Sequence, residues 1–89
     1  MMLCKQFVIS GTVQGVYYRA SCLEVALALS LTGWVRNLPN GQVEAFACGN
    51  LEQLDQFESW LHKGPITADV TSVIAKLQPT ETWSTFTIR

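Results

Sequence analysis

The sequence predicts a single α+β domain over residues 1–89, in which one sheet carries two helices on one face. Strands and helices follow the order βαββαβ, with an additional short strand at the C-terminal end. Two observations lead to this fold class. The spacing of apolar residues changes twice from the two-residue period of a strand to the 3.6-residue period of a helix. The chain of 89 residues has room for one hydrophobic core, and its apolar content of 48% favours a folded domain over a disordered one. This order is typical of a ferredoxin-like α/β sandwich with an antiparallel sheet.

The first strand and the first helix are predicted over residues 3–13 and 21–31. The strand segment is rich in β-branched and aromatic residues, and it ends at a glycine-containing loop. Apolar residues then recur at helical spacing, and Ser21 with Glu24 three residues later matches a capping box. We expect Gly33 to close this helix.

A hairpin is predicted next. Residues 34–38 form the second strand, and residues 42–48 form the third, with alternating polar and apolar side chains. The Asn40-Gly41 pair between them is a strong hairpin signal, because both residue types tolerate the positive φ angles of tight turns.

The second half of the chain repeats the pattern. Asn50 is a good N-cap for a second helix, whose stop signal is the Lys63-Gly64-Pro65 run. One face of this helix is apolar at four positions, Leu51, Leu54, Phe57 and Leu61. A fourth strand follows over residues 70–77. A short closing strand over residues 85–88 is expected to point two side chains inward, Phe86 and Ile88.

The loop between the first strand and the first helix is a candidate phosphate site. It comprises six residues that we expect to contact phosphate: Gln14, Gly15, Val16, Tyr17, Tyr18 and Arg19. A glycine-containing loop that opens a helix can direct its backbone N–H groups at an anion. The guanidinium of Arg19 adds a planar, permanently charged fork that matches phosphate oxygens.

Topology brings a second candidate residue to this loop. In a right-handed split βαβ unit the first two strands run the same way, so their C-terminal ends lie at one edge of the sheet. The first strand ends at the loop that leads to Arg19, and the second ends at Arg36-Asn37. We therefore expect Arg19 and Asn37 to face one crevice.

These segments resemble the acylphosphatase family. The run Gly11–Arg19 (GTVQGVYYR) is similar to the first motif of that family, and Gly33–Val43 (GWVRNLPNGQV) is similar to the second. Gly64-Pro65 with Ala68 and Val70 resembles a weaker third segment. The two main motifs occur in the expected order, and the match spans almost the whole chain, so the signal is far more specific than either glycine pattern alone.

The resemblance implies an enzyme that hydrolyses acyl phosphates to a carboxylate and inorganic phosphate, without a metal or other cofactor. Arg19 would bind the phosphoryl group, and the amide of Asn37 would orient the attacking water. An amide can accept from and donate to water but cannot act as a general base at neutral pH, so the role of Asn37 would be positioning. The expected partners are a small-molecule acyl phosphate as substrate and inorganic phosphate as product and inhibitor. We expect the protein to be a monomer.

Composition argues against several other classes of protein. The net charge is −1, and the six Lys and Arg residues form no basic stripe, so we expect no nucleic-acid partner. The longest apolar stretch, residues 22–31, is interrupted and too short to span a bilayer, so no membrane partner is expected. No cleavable leader precedes the first strand, and the expected location is the cytoplasm.

The three cysteines, Cys4, Cys22 and Cys48, include no C-x-x-C pair, so neither a zinc site nor thioredoxin-like chemistry is expected. Two interpretations stay open. In the first, all three cysteines are reduced and pack as small hydrophobic residues, as the cytoplasm favours. In the second, Cys4 and Cys48 form a cross-strand disulfide. The second follows from the topology, which places the end of the third strand beside the start of the first.

Two functions from other classes remain as alternatives. A non-catalytic phosphate-binding or anion-binding regulatory module would use the same loop without turnover. A single-stranded RNA binder would share the βαββαβ order, but the aromatic pattern of RNA-recognition domains is absent.

Overall fold

The computed structural model describes residues 1–89. It contains two helices and five strands: β1 (Leu3–Thr12), α1 (Tyr18–Ala28), β2 (Thr32–Asn37), β3 (Val43–Gly49), α2 (Leu51–Lys63), β4 (Asp69–Gln78) and β5 (Phe86–Ile88). The predicted order of elements is confirmed, and the molecule is a ferredoxin-like α+β sandwich.

The strands form one sheet in the order β4-β1-β3-β2-β5. Three pairings are antiparallel, but β5 lies parallel to β2, so the sheet is mixed and the expectation of an entirely antiparallel sheet is wrong in this detail. The connection after β4 explains the difference. β4 ends at the edge where β1 begins, and residues 79–85 cross to the far side of the sheet along that edge. β5 therefore starts beside the beginning of β2 and runs in the same direction.

The main core lies between the helices and one face of the sheet. Phe57 of α2 is fully buried there and meets Phe7 of β1 and Phe86 of β5 in edge-to-face contacts, with ring centroids 5.5 and 5.9 Å apart. Such aromatic pairs contribute about 0.5–1.5 kcal/mol beyond their buried area. Phe86 thereby fixes the short β5 strand against the core.

Helix α2 follows its sequence signals closely. Asn50 caps it, accepting a hydrogen bond from the Gln53 backbone, while the Gln53 side chain accepts from the Asn50 N–H. This capping box satisfies two of the donors that a helix start leaves unpaired. The helix ends at Lys63 before Gly64, as expected, although Leu51 at its start is half exposed and lies outside the core.

Gly33 does not close the first helix as predicted. It lies in β2 at φ 136°, where a Cβ atom would stand 1.9 Å from the Phe46 carbonyl oxygen of β3. The glycine is required by this close approach of two strand backbones. The helix itself ends at Ala28.

A smaller cluster covers part of the opposite face of the sheet. Trp34 and Phe46 stack there, with ring centroids 5.9 Å apart, and the Arg89 guanidinium lies 4.6 Å from the Trp34 ring. Cys4 and Cys48 pair directly in the ladder, with Cα atoms 4.1 Å apart, and the structure joins their sulfurs as a disulfide. Cys22 is free and buried in the main core.

Candidate active site

The loop between β1 and α1 has an unusual backbone. Gly15 has φ 73°, and Tyr17 has φ 65° and ψ 19°, so both residues adopt the left-handed conformation. Glycine adopts it freely, but the Cβ of a tyrosine makes it cost about 1–2 kcal/mol. The Tyr17 side chain is 77% exposed, so little packing offsets this strain. Backbone strain without matching side-chain burial is a feature of functional loops.

Helix α1 begins at Tyr18, three residues before the predicted start. The expected capping box of Ser21 and Glu24 is absent, since the N-cap is Tyr17 and no side chain caps the helix. The first bond of the helix runs from the Ser21 N–H to the Tyr17 carbonyl, 3.1 Å away. The N–H groups of the three preceding residues, 18–20, therefore have no intrahelical acceptor and are available to an anion.

Arg19 lies at the second position of this uncapped helix start. Its side chain is partly buried, and no carboxylate lies within 4.0 Å of it. Arg36, whose side chain is 47% exposed, differs in that it pairs with Glu44 at 2.6 Å. Arg19 thus places an unpaired positive charge beside unpaired N–H groups, and all of these favour a bound anion.

Side chains from other elements hold the loop from outside. The Thr67 hydroxyl donates to the Val16 carbonyl, which keeps that oxygen on the outer side of the loop. The Tyr18 hydroxyl donates to the Leu61 carbonyl of α2 at 2.7 Å. Burial raises the pKa of the Tyr18 hydroxyl well above its ordinary value, and the neighbouring Cys22 adds to this effect. Tyr18 therefore serves the site as a neutral anchor, and its phenol is not free to contact phosphate.

Gln14 connects the loop to the β2–β3 turn. Its side-chain nitrogen donates to the carbonyl oxygens of Leu38 and Gln42, each at 2.8 Å. Gln14 is one of the residues predicted for the phosphate-binding loop, and its side-chain nitrogen is occupied by the turn. The two bonds bring the loop that precedes Arg19 against the turn that follows Asn37.

Asn37 is the last residue of β2, at the same edge of the sheet as the loop. Its side-chain oxygen is buried and has no hydrogen-bond partner. An unpaired buried acceptor costs about 1–3 kcal/mol, so this oxygen is a candidate to receive a donor from a ligand or water. Asn37 is not among the residues that line the cavity at the loop.

A cavity of about 410 Å³ opens at this loop. Seven residues line it: Val13, Gly15, Tyr17, Tyr18, Arg19, Ala20 and Ile88. Ile88 was expected to point into the core, yet it is 41% exposed at the end of β5 and forms one wall of the cavity. The parallel direction of β5 is what carries Ile88 to this edge, and a strand pattern in the sequence does not indicate that direction.

The two cysteines that pair in the ladder lie far from this edge. Thr12 lies eight positions after Cys4 in β1, about 26 Å away at the usual rise of a strand. Trp34 and Phe46 are also unsuited to stack on nucleic-acid bases, because each ring is more than 90% buried against its neighbours.

The structure contains no group of three or more His, Cys, Asp or Glu side chains placed to hold a metal ion. No helix has both the length and the apolar character needed to cross a membrane.

The comparisons with known proteins agree with one another. The family model described as acylphosphatase matches residues 5–88. The acylphosphatase of Legionella pneumophila (strain Lens) is 45% identical over 86 residues, which cover 97% of this chain and 94% of that protein. The solved acylphosphatase of Coxiella burnetii superimposes with a TM-score of 0.96 at 40% identity, over 99% of this chain and 93% of the other. The acylphosphatase of Bacillus subtilis gives a TM-score of 0.95 at 29% identity, over 100% and 99% of the two chains.

Proposed function

This chain belongs to the acylphosphatase family, and we propose that the loop before α1 and the end of β2 together form its catalytic centre. The reaction is the hydrolysis of the carboxyl–phosphate anhydride bond of an acyl phosphate. Arg19 and the backbone N–H groups of the loop bind the phosphoryl oxygens, and Asn37 orients the attacking water.

The observation that carries this assignment is the left-handed Tyr17 at an uncapped helix start beside the unpaired Arg19. This conformation turns successive N–H groups toward one point, and Arg19 adds a positive charge there. Charge on the equatorial phosphoryl oxygens in the transition state is stabilised by the same donors, which need no reorganisation during the reaction.

The chemical step requires little beyond this arrangement. The water oxygen forms a bond to phosphorus while the bond between phosphorus and the carboxylate oxygen breaks, and the carboxylate leaves with the electron pair. Both protons of the water stay on the phosphoryl group, so the acyl phosphate dianion gives a carboxylate anion and H₂PO₄⁻. A carboxylate is a stable anion at neutral pH, so the leaving group needs no proton. Asn37 supplies position and not basicity, because an amide accepts a proton from water too weakly to act as a base.

Isotopic water tests the direction of attack. Hydrolysis of benzoyl phosphate in ¹⁸O-labelled water is expected to place one labelled oxygen in inorganic phosphate and none in benzoate. Label in benzoate would mean attack at the carbonyl carbon, and the assignment of the loop as the transition-state site would then be wrong.

The Asn37→Ala variant is expected to bind phosphate as the parent does while its kcat falls about 100-fold, as loss of a well-positioned water implies.

Three further properties are part of the proposal. Turnover is independent of metal ions, since acyl phosphates are activated and the carboxylate leaving group needs no metal to stabilise it. Inorganic phosphate inhibits competitively, because the product is the group that the loop binds. The monomeric state and the cytoplasmic location stay predictions from the sequence, to be checked by light scattering and by cell fractionation.

A further inference from the structure

The bonds made by Gln14 are unusual because one nitrogen reaches two distant carbonyls. Nε2 lies 2.8 Å from the oxygen of Leu38, 24 residues away, and 2.8 Å from that of Gln42, 28 residues away. A primary amide offers two N–H donors on one nitrogen and can therefore serve both acceptors at once.

These two carbonyls also close the turn itself. The Gln42 oxygen accepts the Leu38 N–H at 2.8 Å, and the Leu38 oxygen accepts the Gly41 N–H at 3.2 Å. Gln14 thus binds the two oxygens that define the shape of the turn, and the position of the turn is tied to the loop that carries the phosphate donors.

Asn37 has no comparable anchor of its own. Its side-chain oxygen is buried without a hydrogen-bond partner. No hydrogen bond from a protein group holds this oxygen, and the position of the amide follows the backbone of β2 and of the turn after it. A contact that fixes the backbone around Asn37 relative to the phosphate loop therefore also fixes the distance between the bound phosphoryl group and the water held by Asn37.

We propose that Gln14 is a positioning residue that acts through Asn37, holding the water-orienting amide in register with the phosphate loop. This inference rests on the proposed function, because it takes Asn37 as the residue that orients the water. Gln14 therefore raises the rate of the chemical step and does not change the affinity for phosphate.

The test compares two glutamines whose side chains each make two hydrogen bonds, in different places. Gln53 donates from Nε2 to the Leu29 carbonyl at 2.8 Å, also 24 residues away, and its Oε1 accepts the Asn50 N–H at the start of α2. Gln14→Met and Gln53→Met each remove two hydrogen bonds with little change in side-chain volume. We expect similar falls in melting temperature for both. Only Gln14→Met should lower kcat on benzoyl phosphate, about 10- to 100-fold, since an error of about 1 Å in positioning costs about that much. The inhibition constant of phosphate should change by less than about threefold in either variant, because the N–H donors of the cradle are retained.

A second variant, Gln14→Glu, distinguishes the loss of the donated hydrogen bonds from a general loss of structure. In Gln14→Glu the ionised carboxylate faces two carbonyl oxygens and has no donor, whereas its protonated form has one. Its kcat relative to the parent should rise as the pH falls toward the carboxyl pKa. A pH-independent ratio would contradict a role for the donated hydrogen bonds.

A double-mutant cycle separates this inference from the proposed function. If Gln14 acts through Asn37, then Gln14→Met in the Asn37→Ala background should lower kcat by less than about twofold, because interacting residues are not additive. If the two losses multiply, or if Gln14→Met keeps its full kcat while Asn37→Ala does not, the inference fails and the proposed function stands. If Asn37→Ala itself keeps its rate, the role proposed for Asn37 fails.

Discussion

The strain at Tyr17 gives a quantitative prediction. Tyr17→Gly and Tyr17→Ala remove the same ring, and they differ only in the Cβ atom. At φ 65° that atom costs about 1–2 kcal/mol. Glycine gains more backbone entropy on unfolding, which costs about 0.5–1 kcal/mol relative to alanine. At the middle of these two ranges, Tyr17→Gly is more stable than Tyr17→Ala by about 0.75 kcal/mol, or about 3–6 °C in melting temperature for a domain of this size.

Urea denaturation of the two variants measures this difference directly. The matched control is Glu24, an exposed residue in the middle of α1, where Glu24→Gly should be less stable than Glu24→Ala by about 1 kcal/mol. The sign of the glycine–alanine difference should therefore reverse between positions 17 and 24. If Tyr17→Ala equals or exceeds Tyr17→Gly in stability, the loop is not strained at this residue, and the backbone geometry assigned to the phosphate site is wrong.

Three other predictions concern the surroundings of the site. Thr67→Val removes the hydroxyl that holds the loop from outside, and the inhibition constant of phosphate should rise about three- to tenfold in competition assays. Burial raises the pKa of Tyr18 above 10.0 and the pKa of Cys22 above 9.0. A group whose pKa is raised by folding stabilises the protein fully below its unfolded pKa and loses that effect as the pH rises. The free energy of unfolding should thus fall above about pH 9, by up to about 1.4 kcal/mol per pH unit for each group, and Tyr18→Phe or Cys22→Ala should flatten this fall. Reducing the Cys4–Cys48 bond, whose cysteines are 44 residues apart, should cost about 4 kcal/mol of stability by loop entropy and leave kcat unchanged, as denaturation and assays with and without dithiothreitol would reveal.

Much of the fold could be predicted from the sequence because its signals are local. Asn50 and the Lys63-Gly64-Pro65 run mark α2 through capping and stop chemistry, which act within one helical turn. Likewise, the ends of β1 and β2 follow from the handedness of a split βαβ unit, and this alone brings the Arg19 and Asn37 segments to one edge.

The structure differs from the sequence predictions where contacts between distant residues determine the local structure. Ser21 and Glu24 match a capping box, but the buried Tyr18 ring and its bond to Leu61 start the helix one turn earlier. Gly33 looks like a helix stop, yet its role is set by a neighbouring strand. Ile88 reaches the cavity through a parallel pairing that no local pattern encodes.

Only some of the roles proposed for the site residues could be predicted from the sequence. Arg19 and Asn37 could be predicted because each lies in a motif that resembles one of the acylphosphatase family. The bonds from Gln14 to the β2–β3 turn connect residues 24 and 28 positions apart, and only the folded chain brings their atoms together.

Hydrolysis of benzoyl phosphate in the presence of EDTA, by the parent chain and by Arg19→Ala, shows whether Arg19 anchors the phosphoryl group of a metal-independent reaction. We expect the parent to turn over in EDTA with phosphate as a competitive inhibitor. The folded Arg19→Ala variant should lose both turnover and phosphate inhibition, since Arg19 is the only positively charged side chain among the residues that line the cavity at the loop. Normal kcat/KM in Arg19→Ala, or a parent that binds phosphate without turnover, would contradict the account, and the second outcome would select the anion-binding module.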